Sequence, residues 1–132
     1  MMMQAHSNGW MNIMAVTQEL LDMTVLEEFR ETAGDAVFLE IGETFVEQIA
    51  LIISRIEESS CLDDLDCLER NAHELAGAAG AFGGKALAAA AREVMAVGRT
   101  GDVEKTRTLI PSLANTGRET LEAFRRYCTS LS

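Results

Sequence analysis

The chain predicts an all-α fold, an antiparallel up-down-up-down four-helix bundle with a short extra N-terminal helix, and three observations carry that expectation. Apolar residues recur at intervals of three and four through most of the sequence, the spacing of one face of an α-helix. A single proline in 132 residues, 5% aromatics and abundant Ala, Leu and Glu suit helices rather than a sandwich or barrel. Neither the two-residue alternation of a half-buried strand nor an internal repeat emerges along the chain. With 48% hydrophobic content, the chain can bury a core as one domain.

Asp22 precedes Met23-Thr24-Val25-Leu26 and a Glu-rich turn, which predicts a capped short helix ending near Gly34. Asp35 is expected to cap a longer helix in which Phe38, Ile41, Phe45, Ile49, Ile52 and Ile56 form one apolar stripe. Gln48 lies on the flank of that stripe, where it could reach a neighbouring helix. Residues 59–63 read as a turn, with Asp63 or Asp64 capping a third helix that Gly83-Gly84 breaks. A fourth helix runs from about Lys85 to Val97 with Leu87, Ala90, Ala91 and Val94 inward, and residues 98–101 end it. Asp102 caps the fifth, where Leu109, Ile110, Leu113, Gly117, Leu121, Phe124 and Leu131 point inward and Pro111 kinks the helix or starts its regular part. Residues 1–18 are expected to be a loosely ordered extension, in which His6 and Trp10 are given no role, and residues 19–132 a single helical-bundle domain.

A net charge of −10 speaks against nucleic acid and anionic membranes as partners, because phosphate contact needs a basic face. The charge is unevenly spread. From Thr17 to Glu69 fifteen acidic residues stand against Arg30 and Arg55, whereas from Arg70 onward nine basic residues outnumber six acidic ones. The longest uncharged interior stretch, Leu75 to Gly84, falls well short of the ~20 apolar residues of a membrane helix. The first sixteen residues carry no charge, so the basic start of a secretory signal is missing. Cys61, Cys67 and Cys128 are odd in number and lack CxxC spacing, which reads as reduced thiols in a cytoplasmic protein. The intervals from Cys61 and Cys67 to His73 match no familiar zinc pattern, and no metal site is expected.

The residues that carry chemistry lie on the third helix. Wound at about 100° per residue, Leu68, Ala72, Leu75, Ala79 and Phe82 fall within roughly 40° of one another and form the buried face. His73, Gly77, Gly80 and Gly84 make a second stripe turned roughly 120° to 180° away, so the histidine faces outward. Each glycine costs about 1 kcal/mol of helix stability relative to alanine, so three on one face need a reason. Either a helix approaches closely inside the fold, or a partner protein approaches His73.

In this order the residues resemble the histidine-containing phosphotransfer (HPt) domains of multistep bacterial phosphorelays. That family's motif, roughly His-x-Leu-Lys-Gly-small-small-x-x-(Leu/Phe)-Gly, is matched here by His73-Glu74-Leu75-Ala76-Gly77-Ala78-Ala79-Gly80-Ala81-Phe82-Gly83. An Arg-x-Gly-Asp turn at Arg99-Thr100-Gly101-Asp102 and a final helix come at family-like intervals, and the resemblance covers about residues 20–130. It implies that His73 is the phosphoacceptor, taking a phosphoryl group from a receiver-domain aspartate and handing it to another. An imidazole with an ordinary pKa of about 6.5 is substantially neutral and nucleophilic at cytoplasmic pH.

The partners implied are receiver domains of a hybrid histidine kinase and/or a response regulator. The receiver brings the Mg²⁺, and the chain needs no cofactor of its own. Gly77 and Gly80 would leave room for the receiver's loops. Ala76 departs from the family, which usually has a lysine there to neutralise phosphoryl charge; Arg70 is the preferred substitute, with Lys85 and Arg99 as longer-range helpers. Met95 stands where the family often has Glu or Gln, which leaves Glu69 or Gln48 to orient the imidazole by hydrogen bonding. No Gly-rich phosphate loop is present, so no autokinase activity is expected, and whether such a carrier counts as an enzyme is left open. A cytoplasmic monomer is the favoured form. The alternatives are a degenerate adaptor or inhibitor that binds a kinase or regulator without transfer, and a helical oligomer whose glycine stripe is the subunit interface.

Overall fold

Three aspartates start helices in this protein, as the sequence predicts, because each offers a carboxylate to backbone N–H groups that a first turn leaves unbonded. A computed structural model describes residues 15–131. Residues 15–20 are helical; His6 and Trp10 lie outside the described residues. Asp22 then caps α1 (Met23–Ala33), accepting from the N–H groups of Thr24 at 3.1 Å and Val25 at 3.4 Å. There follow α2 (Asp35–Glu57), the one-turn α3 (Ser59–Leu62), α4 (Leu65–Ala81), α5 (Lys85–Gly98), the short α6 (Val103–Thr108) and α7 (Ile110–Ser130). Asp64 caps α4 through Cys67 N–H, and Asp102 caps α6 through Lys105 N–H. No strand occurs among the described residues.

Four long helices make the bundle: α4 packs on α2 and α5, and α7 closes the cycle by packing on the same two. All five phenylalanines gather toward one end, where Phe45 stacks on Phe82 at 4.4 Å and meets Phe124 at 5.0 Å. The short N-terminal helix covers that end, as expected. Phe29 of α1 packs against Phe38 and Phe82, and Asp22 N–H donates to the Gly83 carbonyl at 2.7 Å. Gly83 adopts φ 73 in the turn between α4 and α5, and a Cβ there would stand 2.9 Å from the Asp22 carbonyl oxygen.

Several local expectations are corrected. Asp35 is the first residue of α2 and does not cap it; Gly34 holds the cap position, and the Asp35 carboxylate takes two hydrogen bonds from Arg30, which holds its carboxyl below the ordinary range. Ile41 is 38% exposed, while Gly42 and Ile53 join the buried face of α2. Residues 59–63 are mostly helix and not a plain turn. The predicted fifth helix is two, with Pro111 in the first turn of α7, where its missing N–H costs nothing. In α5, Ala88 is buried in place of Ala90, which is only partly covered, as are Leu109 and Leu131 further on.

The cysteines are the clearest correction. Cys61 and Cys67 form a disulfide, and only Cys128 is a free thiol. The one-turn α3 folds Cys61 back onto the first turn of α4, which brings the two Cα atoms to 5.2 Å. Asn71, buried one turn on, donates to the Cys67 carbonyl at 2.9 Å and to its sulfur at 3.4 Å.

Candidate functional site

The buried face of α4 consists of the residues its wheel predicts: Leu68, Ala72, Leu75 and Ala79 are fully covered, and Phe82 partly so. Burying that stripe forces the opposite face outward. His73, at the middle of the helix, is exposed, and its ring makes no hydrogen bond or ion pair among the described residues. Gly77 and Gly80, one and two turns further on, are exposed as well, and a Cβ added at either would meet nothing within 4 Å among the described residues. Neither glycine is explained by a helix of the fold pressing against it. Gly84 is different: it is buried, and a Cβ there would lie 3.2 Å from the Ala79 carbonyl oxygen and 3.4 Å from Thr120. The predicted stripe therefore divides into two open glycines beside the histidine and one packed glycine at the helix end.

His73 forms part of the rim of an open depression of about 330 Å³ lined by Asp66, Glu69, Arg70 and His73 of α4 and by Met95 and Arg99 of α5. On α4 these residues are spaced by three and four, one side of the helix; on α5 Met95 and Arg99 are one turn apart and face them. The two arginines expected near the histidine are brought to it from different helices. Among the described residues neither makes an ion pair, whereas Arg55, Arg107, Arg118 and Arg126 are committed to carboxylates. Glu74, next to His73, is turned the other way, 3.7 Å from Arg55 of α2. Its negative charge is drawn off the depression.

Other predicted residues fall outside it. Lys85, the first residue of α5, is exposed beyond the depression. Gln48 is exposed on α2, is not part of the lining, and hydrogen-bonds to nothing among the described residues. Glu69 does line the depression, without a hydrogen bond to His73. Ala76 is half-buried against the flank of the core, so no side chain projects where a lysine would. Asp66 was not singled out from the sequence, although its spacing of seven residues from His73, close to two full turns, puts it on the same line. Among the described residues, no group of three or more His, Cys, Asp or Glu side chains is gathered as a metal site, and Cys61 and Cys67 are bonded to each other. No described helix is long and apolar enough to cross a membrane.

A family model described as the Hpt domain matches residues 24–127. The fold is similar to the crystal structure of histidine-containing phosphotransfer protein B (HptB) from Pseudomonas aeruginosa PAO1, with a TM-score of 0.75 and 21% identity over 83% of this chain and 95% of that one. No curated protein matches the chain in sequence.

Proposed function

Because the chain belongs to the Hpt domain family, and is thus a histidine phosphotransfer protein of two-component signalling, we propose that it relays a phosphoryl group between receiver-domain aspartates through His73. One observation carries the reading: the imidazole is exposed mid-helix, and the two turns beyond it are trimmed to glycines that touch nothing. A receiver can seat its loops over Gly77 and Gly80 and bring its aspartyl phosphate to the ring.

Phosphoryl transfer needs in-line positioning and charge neutralisation more than covalent assistance. The unprotonated ring nitrogen of His73 attacks phosphorus, the bond from phosphorus to the aspartyl oxygen breaks, and its electron pair remains on the carboxylate. A P–N bond has formed. The reverse step onto a second receiver restores the free imidazole. Arg70 and Arg99, uncommitted to any carboxylate among the described residues, supply the positive charge that Ala76 does not. Lys85, outside the depression, acts at longer range on the receiver surface. Mg²⁺ belongs to the receiver in this scheme. The partners are receivers of a hybrid kinase and of a response regulator, met in the cytoplasm by a monomer of this chain.

The test is to incubate the chain with a receiver phosphorylated at its aspartate and follow acid-labile, base-stable phosphate on the bundle. Label is expected on the wild type and absent from His73→Gln. Label that persists in His73→Gln overturns the assignment. The half-buried Ala76 favours a second reading, an adaptor that has lost transfer; tight receiver binding with no label on the wild type would establish it. Self-association that protects His73 would instead point to an oligomer.

A further inference from the structure

The two bonded cysteines sit unequally. Cys61, in the one-turn α3, is 2% exposed, whereas Cys67, in the first turn of α4, is only partly covered and can be approached from solvent. Beside them lies the buried amide of Asn71. One of its two N–H groups suffices for the Cys67 carbonyl at 2.9 Å, and the amide nitrogen stands 3.4 Å from Cys67 Sγ and 3.8 Å from Cys61 Sγ. A disulfide sulfur is a weak acceptor and gains little from that donor; a thiolate, being charged, gains much more. The amide is therefore placed to serve the pair when it is open.

The bond spans the joint between α3 and α4. Two further ties at the joint are exposed: Asp64 accepts the Cys67 N–H at 3.3 Å, and Asp63 pairs with Arg107 of α6 at 3.0 Å. Exposed polar ties of this kind hold weakly. The same first turn of α4 carries Asp66, and the next carries Glu69 and Arg70, which line the depression at His73. Helix ends fray, so what clasps this end also steadies part of the depression.

We propose that Cys61 and Cys67 are a reversible thiol–disulfide site, exchanging with low-molecular-weight disulfides and thiols, whose closed form holds the first two turns of α4, and with them Arg70, in place beside His73. The exchange stands on the cysteine geometry alone; its effect on transfer rests on the relay reading. In closing, the Cys67 thiolate attacks one sulfur of the small disulfide, that S–S bond breaks, and the first small thiolate leaves. The Cys61 thiolate then attacks Cys67 Sγ and expels the second. Two electrons pass from the protein pair to the small disulfide, and the protons of the two cysteines end on the two small thiols. In opening, a small thiolate attacks the accessible Cys67 Sγ, and Cys61 leaves as a thiolate within reach of the Asn71 amide. In the cytoplasm proposed above, disulfides are characteristically transient and catalytic or redox-sensing, which suits such a site.

The test uses the full chain carrying Cys128→Ser, so that the pair alone reacts, equilibrated with mixtures of reduced and oxidised glutathione, quenched with N-ethylmaleimide and weighed by intact mass. Both thiols are expected to vanish together as oxidised glutathione rises. Cys61→Ser is expected to stop at one glutathione, on Cys67, and Asn71→Leu to slow reopening by reduced glutathione about threefold or more, its leaving thiolate having lost a donor. A pair that stays reduced in oxidised glutathione, or a mixed disulfide lodged on Cys61, overturns the site even should Asn71→Leu fail to fold; an unchanged reopening rate in a folded Asn71→Leu overturns the role of the amide. With glutathione removed and air excluded, amide hydrogen exchange at Glu69, Arg70 and Asn71 is expected to be faster in the open chain, and label transfer from a phosphorylated receiver about threefold slower. Unchanged exchange, or equal transfer in the two states, overturns the clasp. Failure of the relay reading shows separately, as no label in either state or label surviving in His73→Gln, and amide exchange then still decides the clasp.

Discussion

Two pairs of helical glycines in this protein stand for opposite reasons. Gly77 and Gly80, on the exposed face of α4, look onto empty space. Gly42 and Gly117, on the facing surfaces of α2 and α7, are pressed by their neighbours: a Cβ at 117 would collide with Ile53 Cδ1, and one at 42 would lie 3.0 Å and 3.1 Å from ring atoms of Phe124. Each of the four costs its helix about 1 kcal/mol relative to alanine. In the seam that cost is offset by dispersion contacts that a closer approach of two helices allows. On the open face nothing within the fold offsets it, which is why an external partner is the better explanation there.

The comparison can be broken most forcefully at Gly117. Leucine there must displace Ile53 and Leu87, and Gly117→Leu is expected to lower stability by about 3 kcal/mol or more, measured by urea denaturation. A variant as stable as the wild type would show that α2 and α7 are not in the close contact described. Gly42→Ala probes the same seam more gently. Its overpacking against the Phe124 ring opposes the gain in helix propensity, so the net loss should stay within about 1 kcal/mol. On the open face the sign reverses: Gly77→Ala should raise stability by about 1 kcal/mol. Gly77→Leu should retain most of that gain while slowing label transfer from a phosphorylated receiver, because the new side chain stands where the partner docks. Transfer at the wild-type rate in Gly77→Leu would remove the reason offered for that glycine.

Much of the site could be read before any fold was known. The spacing of Leu68, Ala72, Leu75 and Ala79 marks the buried face of α4 and, by elimination, sets His73 outward; all four are fully covered. Asp22, Asp64 and Asp102 announce their helices because capping is a bond between residues two or three apart. Arg70 and Arg99 could be proposed as neighbours of His73 from charge alone, yet nothing local told them from Lys85, which is just as basic and ends up elsewhere. Gln48 fits the flank of its own helix and still reaches nothing.

What escaped the sequence depends on how one helix is set against another. The Cys61–Cys67 bond needs α3 to double the chain back, a geometry that a six-residue interval does not specify. Ile41 satisfies the three-and-four spacing of α2 and is nonetheless left partly in water, since the rotation of a helix about its axis is settled by its neighbours and not by its own period.

Helix positions and most of their caps follow from contacts between residues a few places apart, which short-range sterics and hydrogen bonding govern, and the outward histidine from the apolar stripe on the opposite side of its helix. The separation of open from packed glycines arises only where surfaces from distant parts of the chain meet, because close packing is a property of pairs of helices and no one helix contains it.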